Sequence, residues 1–231
     1  FLGGGRLSGT GLLDISGSNW VLGGDFEKRP NSGSESSGTL TTSETDLELD
    51  NSITMTTDES VLSFQNLNLN NYTLTLGSET SDLTIINSIT INETTEGIVT
   101  GKADLSLSAS LNISSGSVTS TGGIITVLGG GKLSGAGLLD LSNSEWVLGG
   151  DFSKSNGTLT ILNTNMSLGD NATLTSDEAL SIASLNLNDF RLTLGSATSG
   201  LTVQNAVTID SSTEGISTGE ADLVLMSALN M

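Results

Sequence analysis

The chain of 231 residues contains no cysteine and no histidine. The missing cysteine excludes a disulfide framework and thiol chemistry. Without either residue, the common pairings of a nucleophile with a histidine base are unavailable. Two carboxylates could still act together as in a glycosidase, but acidic residues are so frequent here that their presence alone does not indicate catalysis. We therefore expect a protein that is not an enzyme and that has no catalytic residues.

Basic residues are also scarce, with seven against 26 acidic ones and a formal net charge of −19. The seven are scattered, so no cationic stripe is available to neutralise phosphates, and nucleic acid is not an expected partner. An anionic membrane would repel the chain for the same reason. No run of about 18 apolar residues occurs, so direct membrane insertion through a helix is not expected either.

Aromatic residues make up only 3% of the chain. What is present instead is a series of short aliphatic pairs that alternate with polar residues, such as Leu47/Leu49 and Leu105/Leu107, which is typical of half-buried strands. A sandwich or barrel usually needs a more aromatic core, and the Asn-Gly and Asp-Gly turns of tight hairpins are rare here. The pattern therefore favours an all-β fold, a parallel (right-handed) β-helix or β-solenoid of about 11 coils of roughly 20 residues, with coils stacked about 4.8 Å apart.

One long sequence motif occurs twice in the chain. The stretch GLLDISGSNWVLGGDF, residues 11–26, returns as GLLDLSNSEWVLGGDF at residues 137–152, so that Trp20 and Trp146 are 126 positions apart. After Phe26 the first copy carries an insert that contains Pro30, the only proline, and we expect a surface loop there. We predict one continuous solenoid over residues 1–231, built from two copies at 1–126 and 127–231, the second truncated. Because the chain opens and stops inside the repeat, we expect a segment of a longer protein.

Calcium is the one cofactor that the acidic residues suggest. Asp25 and Asp151 each follow paired glycines and precede phenylalanine, so they could bind calcium beside flexible backbone carbonyls or simply hold a turn. Asp46, Glu48 and Asp50 alternate with leucines and would share one face of a strand, about 6–7 Å apart. A cation site is one interpretation of that face, and the pattern favours a solvated outer surface. The turn is likewise the favoured interpretation of the two aspartates.

Two further features suggest ligands. Trp20 and Trp146 could stack against sugars, although a tryptophan followed by Val-Leu is more typical of a packed interior. A flat threonine array repeated in every coil would suggest ice binding, but threonine is also a good strand former and the Thr-x-Thr pairs are irregularly spaced, at Thr54/Thr56, Thr73/Thr75 and Thr158/Thr160.

The stretch LNLNNYTLTLGS at residues 67–78, its echo at residues 185–196 and the glycine-rich LGGGKLSGAGLLDLS at residues 128–142 resemble the β-helical repeat region of large bacterial surface proteins, the autotransporter passenger and filamentous-haemagglutinin class. The resemblance extends over the whole chain, and it lies in the general character of the repeats rather than in a unique signature. It implies an extracellular or cell-surface location and a stiff stalk or adhesive surface. Its partners would be a host or neighbouring-cell surface or an extracellular polysaccharide. The alternatives are a polysaccharide-binding or polysaccharide-degrading β-helix and a self-assembling sheath or filament subunit that associates end to end.

Overall fold

The computed structural model describes residues 3–30, 37–58, 61–209, 211, 213–227 and 229–230. These residues form 30 strands, most of them three to five residues long, and none of them is helical. Within this described part, no helix therefore has the length and apolar character needed to cross a membrane.

The strands follow one another through short corners along the whole chain. Those of the first copy are β1 (Gly5–Leu7), β2 (Gly9–Asp14), β3 (Asn19–Leu22), β4 (Phe26–Lys28), β5 (Ser37–Thr41), β6 (Asp46–Leu49), β7 (Ile53–Thr57), β8 (Leu62–Phe64), β9 (Asn66–Asn68), β10 (Thr73–Leu76), β11 (Leu83–Ile85), β12 (Ile89–Ile91), β13 (Gly97–Gly101), β14 (Leu105–Leu107), β15 (Leu111–Ile113), β16 (Ser117–Ser120) and β17 (Ile124–Val127). Those that follow are β18 (Gly131–Ser134), β19 (Leu138–Asp140), β20 (Glu145–Leu148), β21 (Phe152–Ser155), β22 (Thr158–Thr160), β23 (Asn165–Leu168), β24 (Ala172–Ser176), β25 (Leu180–Asn186), β26 (Arg191–Leu194), β27 (Leu201–Thr208), β28 (Gly215–Ser217), β29 (Leu223–Leu225) and β30 (Leu229–Asn230).

Three long parallel sheets form the sides of the molecule. Sheet I has eight strands in the order β1-β4-β7-β10-β13-β16-β19-β22, so every third strand of the chain returns to it. Sheet II has ten strands, from β8 through β11, β14, β17, β20, β23, β25 and β27 to β29, with β30 also paired to β27. Sheet III has seven, in the order β12-β15-β18-β21-β24-β26-β28, and two short sheets, β2-β5 and β3-β6-β9, complete the first rungs. The predicted all-β parallel β-helix is confirmed, as a solenoid of about ten turns.

Each turn of the solenoid, here called a rung, pairs with the next in regular register. Paired residues are usually 19 to 24 positions apart, as shown by Met166↔Leu185 and Leu74↔Ile98. The first rungs are longer because of the insert, and Trp20 pairs with Leu47, 27 positions on. The predicted surface loop falls in this stretch, where residues 31–36 lie outside the described part of the chain.

Alternation turns the aliphatic side chain of each short strand inward, where it stacks on the one below. One such column in sheet I runs Ile53, Leu74, Ile98, Val118 and Leu139, and all five are buried. Each buried side chain of this size contributes about 1.5–3 kcal/mol relative to an exposed one. The core is therefore a set of columns along the axis, in which most contacts join neighbouring rungs.

The two copies of the repeat do not face the same way. Trp20 lies in β3, which belongs to the sheet β3-β6-β9, whereas its counterpart Trp146 lies in β20 of sheet II. Phe26 lies in β4 of sheet I, and its counterpart Phe152 lies in β21 of sheet III. The repeat advances the chain by 17 strands, from β3 to β20. Six full turns of a three-sided coil contain 18 strands, so the repeat is one strand short of six turns. The second copy is thus rotated by one side relative to the first.

The columns predict that inward and outward leucines differ clearly in how much they contribute to the free energy of unfolding. Leu105 is fully buried, whereas Leu128 is 43% exposed. We expect Leu105→Ala to lower the free energy of unfolding by about 2–5 kcal/mol, because the cavity cannot be filled by a rigid stack. Leu128→Ala is the matched control and should cost about 0.5 kcal/mol. Urea unfolding followed by circular dichroism measures both, and equal losses would contradict the assignment of the columns.

Candidate functional site

The aspartates that follow the paired glycines hold corners together. The Oδ1 atom of Asp25 accepts the backbone N–H of Thr54 at 2.7 Å, and Oδ1 of Asp151 accepts that of Thr173 at 2.8 Å. In each copy the aspartate thereby supports the first part of the strand in the next rung, a contact that the turn interpretation did not specify. This contact occupies one carboxylate oxygen in each copy.

The alternating carboxylates of β6 contact side-chain amides in neighbouring rungs. Glu48 accepts hydrogen bonds from Asn19 at 3.0 Å and from Asn70 at 2.8 Å, while Asp46 accepts one from Asn66 at 2.6 Å. The amide of Asn19, followed by that of Asn70, lowers the pKa of Glu48. Asp50 is exposed just after the strand. Among the described residues, no group of three or more His, Cys, Asp or Glu side chains is placed to hold a metal ion.

Both tryptophans lie in the interior. Trp20 is 3% exposed and Trp146 is fully buried, so neither presents a ring face on which a sugar could stack. Each meets a phenylalanine edge to face, with ring centroids 4.9 Å apart for Trp20 and Phe26 and 5.2 Å apart for Trp146 and Phe152. Neither indole Nε1 has a hydrogen-bond partner among the described residues. Trp20 also lies near the ring of Phe64, with centroids 6.1 Å apart, so the two copies share the edge-to-face pair but not the whole aromatic cluster.

An apolar cavity of about 250 Å³ opens beside Trp20 at the first rungs, lined by Leu7, Leu12 and Phe26 among others. In the second copy the equivalent region is covered, because β15, β16 and β17 pair with β18, β19 and β20. Among the described residues, no strand pairs with the outer edge of β1, β2 or β3, and the cavity lies at this edge.

The Thr-x-Thr pairs Thr54/Thr56, Thr73/Thr75 and Thr158/Thr160 lie in sheet I, in β7, β10 and β22, whereas Thr39/Thr41 lies in β5 and Thr173/Thr175 in β24 of sheet III. The rungs between them interrupt the row, since β13 places Gly97 and Val99 in these positions and β19 places Leu138 and Asp140 there. In the second copy, Thr173 and its neighbours fall in sheet III. No side of the described solenoid therefore carries a threonine pair in every rung.

Sequence reasoning missed two buried lysines. Lys28 and Lys154 point inward, and their side chains are only 7% and 4% exposed. The Nζ atom of Lys28 lies 2.8 Å from Oδ1 of Asp58, and that of Lys154 lies 2.6 Å from Oδ1 of Asp177. A signal was available, because both lysines come two residues after the phenylalanine of Gly-Gly-Asp-Phe, in the same inward phase of the alternation.

The second of these lysines meets two carboxylates. Besides Asp177, Glu178 lies with its Oε1 atom 2.9 Å from Nζ of Lys154. Burial lowers the pKa of Lys154, but the hydrogen bonds and charges of the two carboxylates outweigh it and the net shift is upward. The hydrogen bond from Lys154, followed by that from the backbone of Asn156, lowers the pKa of Asp177. In this structure the cluster is therefore an ion pair.

Two buried glutamates close another repeated corner. Glu96 and Glu214 are 118 positions apart and each is 9% exposed. Glu96 accepts the backbone N–H groups of Asn92 at 2.9 Å and of Glu93 at 3.2 Å, and Glu214 accepts that of Asp189 at 2.6 Å. The carboxylates satisfy donors that the corner would otherwise leave without partners.

In the adjacent rung at each of these corners, the backbone adopts a left-handed conformation over two successive residues. Asn70 and Asn71 have φ angles of 48° and 69°, and Asn188 and Asp189 have 48° and 70°. Asn and Asp tolerate this conformation better than other residues with a side chain. The Asn-Asn and Asn-Asp pairs within the echoed stretches are therefore corner residues.

The lowered carboxyl pKa values predict loss of stability in acid. Ser16 lowers the pKa of Asp14, first through its hydroxyl and then through its backbone N–H. The side-chain amides of Asn19 and Asn70 lower the pKa of Glu48. Each group binds its proton less readily in the folded chain than in the unfolded one. Its contribution is present above the ordinary values of 3.8 for Asp and 4.5 for Glu and is lost as the pH falls through the lower folded value.

Glu48→Gln tests this with Glu44→Gln, at an exposed position, as the matched control. We expect the stability difference between the wild type and Glu48→Gln to shrink as the pH falls from about 6 to about 3, because the glutamate itself becomes neutral. Chemical unfolding at several pH values measures it. A difference that stays constant over this range, or that Glu44→Gln reproduces, would show that the Asn19 and Asn70 contacts do not favour the charged form.

Comparison with known proteins gives no match, whether with family models, curated sequences or solved structures.

Proposed function

We propose that the chain is a non-catalytic structural segment of a long extracellular protein, acting as a stiff stalk or a presented adhesive surface. The parallel solenoid of about ten turns is the architecture that such a role requires, because length increases by one rung at a time. The resemblance of residues 67–78 and 185–196 to the repeat regions of bacterial surface proteins supports the cell-surface location.

The observation that carries the proposal is the rotation of the second copy by one side of the coil. A repeat that built one continuous binding face would return each surface residue to the same sheet. Here Thr75 lies in sheet I and its counterpart Thr193 lies in sheet III. The repeat preserves how rungs stack and does not preserve the direction in which its outer side chains point.

The features that the copies share also favour a structural role. They are contacts in the core or at corners between rungs, and they recur at equivalent positions of the two copies. They are the Trp20–Phe26 and Trp146–Phe152 pairs, the Asp25 and Asp151 corner contacts, the Lys28–Asp58 and Lys154–Asp177 ion pairs, and the Glu96 and Glu214 corners.

The stalk proposal predicts growth along one axis only. Insertion of a second copy of residues 1–126 after residue 126 adds 17 strands, which should lengthen the particle by about 27 Å at about 4.8 Å per rung. Small-angle scattering should show this increase in maximum dimension with an unchanged cross-section. A particle that thickens in all directions would contradict the proposal.

A second measurement separates the stalk from the polysaccharide-binding alternative. The chain should show no saturable binding to a panel of neutral and acidic polysaccharides, because both tryptophans are buried and the net charge of −19 repels polyanions. Glycan arrays followed by calorimetry test this, with a folded protein of similar acidity as the control. Selective, saturable binding to one polysaccharide would replace the stalk by a carbohydrate-binding function.

A further inference from the structure

The corner after β24 holds a buried amine between two carboxylates. The side chain of Lys154 comes from β21 and is 4% exposed, and its Nζ atom lies 2.6 Å from Asp177 and 2.9 Å from Glu178. β21 and β24 are paired neighbours in sheet III. The cluster therefore connects one rung to the next through side chains, beside the backbone ladder.

The carboxyl group of Asp177 is held at both oxygens. Oδ1 meets the lysine, while Oδ2 accepts the backbone N–H of Asn156 at 2.6 Å. A donor fixed on Oδ2 would stabilise negative charge on that oxygen if the carboxyl carbon were attacked. Glu178 contacts the same amine and could move a proton from it. A nucleophile, an oxyanion donor and a proton carrier are thus assembled around one carboxyl carbon.

The contact between a buried lysine and an aspartate recurs in the first copy. Lys28 lies 2.8 Å from Asp58, and the residue after Asp58 in the sequence is also a glutamate, Glu59, which lies outside the described residues. The other two lysines, Lys102 and Lys132, are exposed. Both buried lysines of the chain therefore occupy this one position of the repeat.

We propose that Lys154 and Asp177 become joined by an amide bond that links their two rungs covalently, and that Lys28 and Asp58 form the equivalent bond in the first copy. The inference does not depend on the proposed function. Burial and a fixed distance of 2.6 Å give the amine a high effective concentration at the carboxyl group.

The reaction begins from the ion pair and releases one water molecule. One proton passes from Nζ of Lys154 to Oδ1 of Asp177, which leaves a neutral amine and a neutral carboxyl group, and the Nζ lone pair then forms a bond to Cγ of Asp177. The tetrahedral intermediate carries its negative charge on Oδ2, beside the N–H of Asn156. Glu178 takes a second proton from Nζ and delivers it to Oδ1, which leaves as water while the double bond from Cγ to Oδ2 re-forms. The products are a neutral amide, water and an unchanged Glu178 carboxylate, so no oxidant or other reactant is required.

The test is the mass of the intact, denatured chain. We expect the wild type to be lighter than its sequence by two water molecules. Lys154→Arg keeps the positive charge but cannot form this bond, so it should be one water short, as should Lys28→Arg. The double variant should have its full sequence mass, and Lys132→Arg, at an exposed position, should remain two waters short. Fragmentation should locate a branched peptide that joins Lys154 to Asp177.

A wild-type chain with its full sequence mass after prolonged incubation would overturn the proposal and leave both corners as ion pairs. A deficit that persists in the double variant would also overturn it, because the water would then be lost elsewhere. Glu178→Gln tests the proton carrier separately. It should slow the appearance of the second water deficit at least tenfold in newly purified protein, and an unchanged rate would exclude Glu178 from that role. Since the masses are read from denatured chains, a variant that folds poorly still gives an answer when compared with Lys132→Arg.

Discussion

The structure depends on the parallel pairing of each rung with the one before it. Backbone hydrogen bonds set the register, and this register places each inward aliphatic residue on another, as Val118 lies on Ile98 and Leu139 lies on Val118. Because most contacts join neighbouring rungs, distant parts of the chain do little to compensate for a poorly fitted rung. Each rung must therefore supply hydrogen-bond partners for the backbone groups at its own corners. The remaining features of the sequence follow from this requirement.

The acidic composition is partly explained by these corners. A carboxylate has several acceptor sites and no donor when ionised, which suits a corner where backbone N–H groups have left the ladder. Asp25, Asp151, Glu96 and Glu214 act in this way. Asp177 does so while also neutralising a buried lysine. Part of the net charge of −19 is thus a consequence of how the coil closes, in addition to any effect on solubility.

The sequence alone was enough to predict the fold class, because alternation determines which side chains point inward, as at Leu105 and Leu107. It was also enough to locate the repeat. It did not reveal the rotation between copies, because rung length varies from 19 residues at Met166↔Leu185 to 29 at Phe26↔Met55. Only the strand pairing shows where a turn is complete. Lys154 was missed for a different reason, since a charged residue at an inward position is read as outward until its partners are known.

The rotation limits what a repeat of this kind can become. A motif that returns after a whole number of rungs can place one side chain above another along a single sheet and so build a long, flat binding surface. A motif that falls one strand short turns its outer residues to a new side with each copy, as the different sheets of Thr75 and Thr193 show. Selection on such a repeat can maintain the core and the corners, which every side requires equally. It cannot easily maintain a directional surface, and this asymmetry is the strongest physical reason to interpret the chain as a structural element.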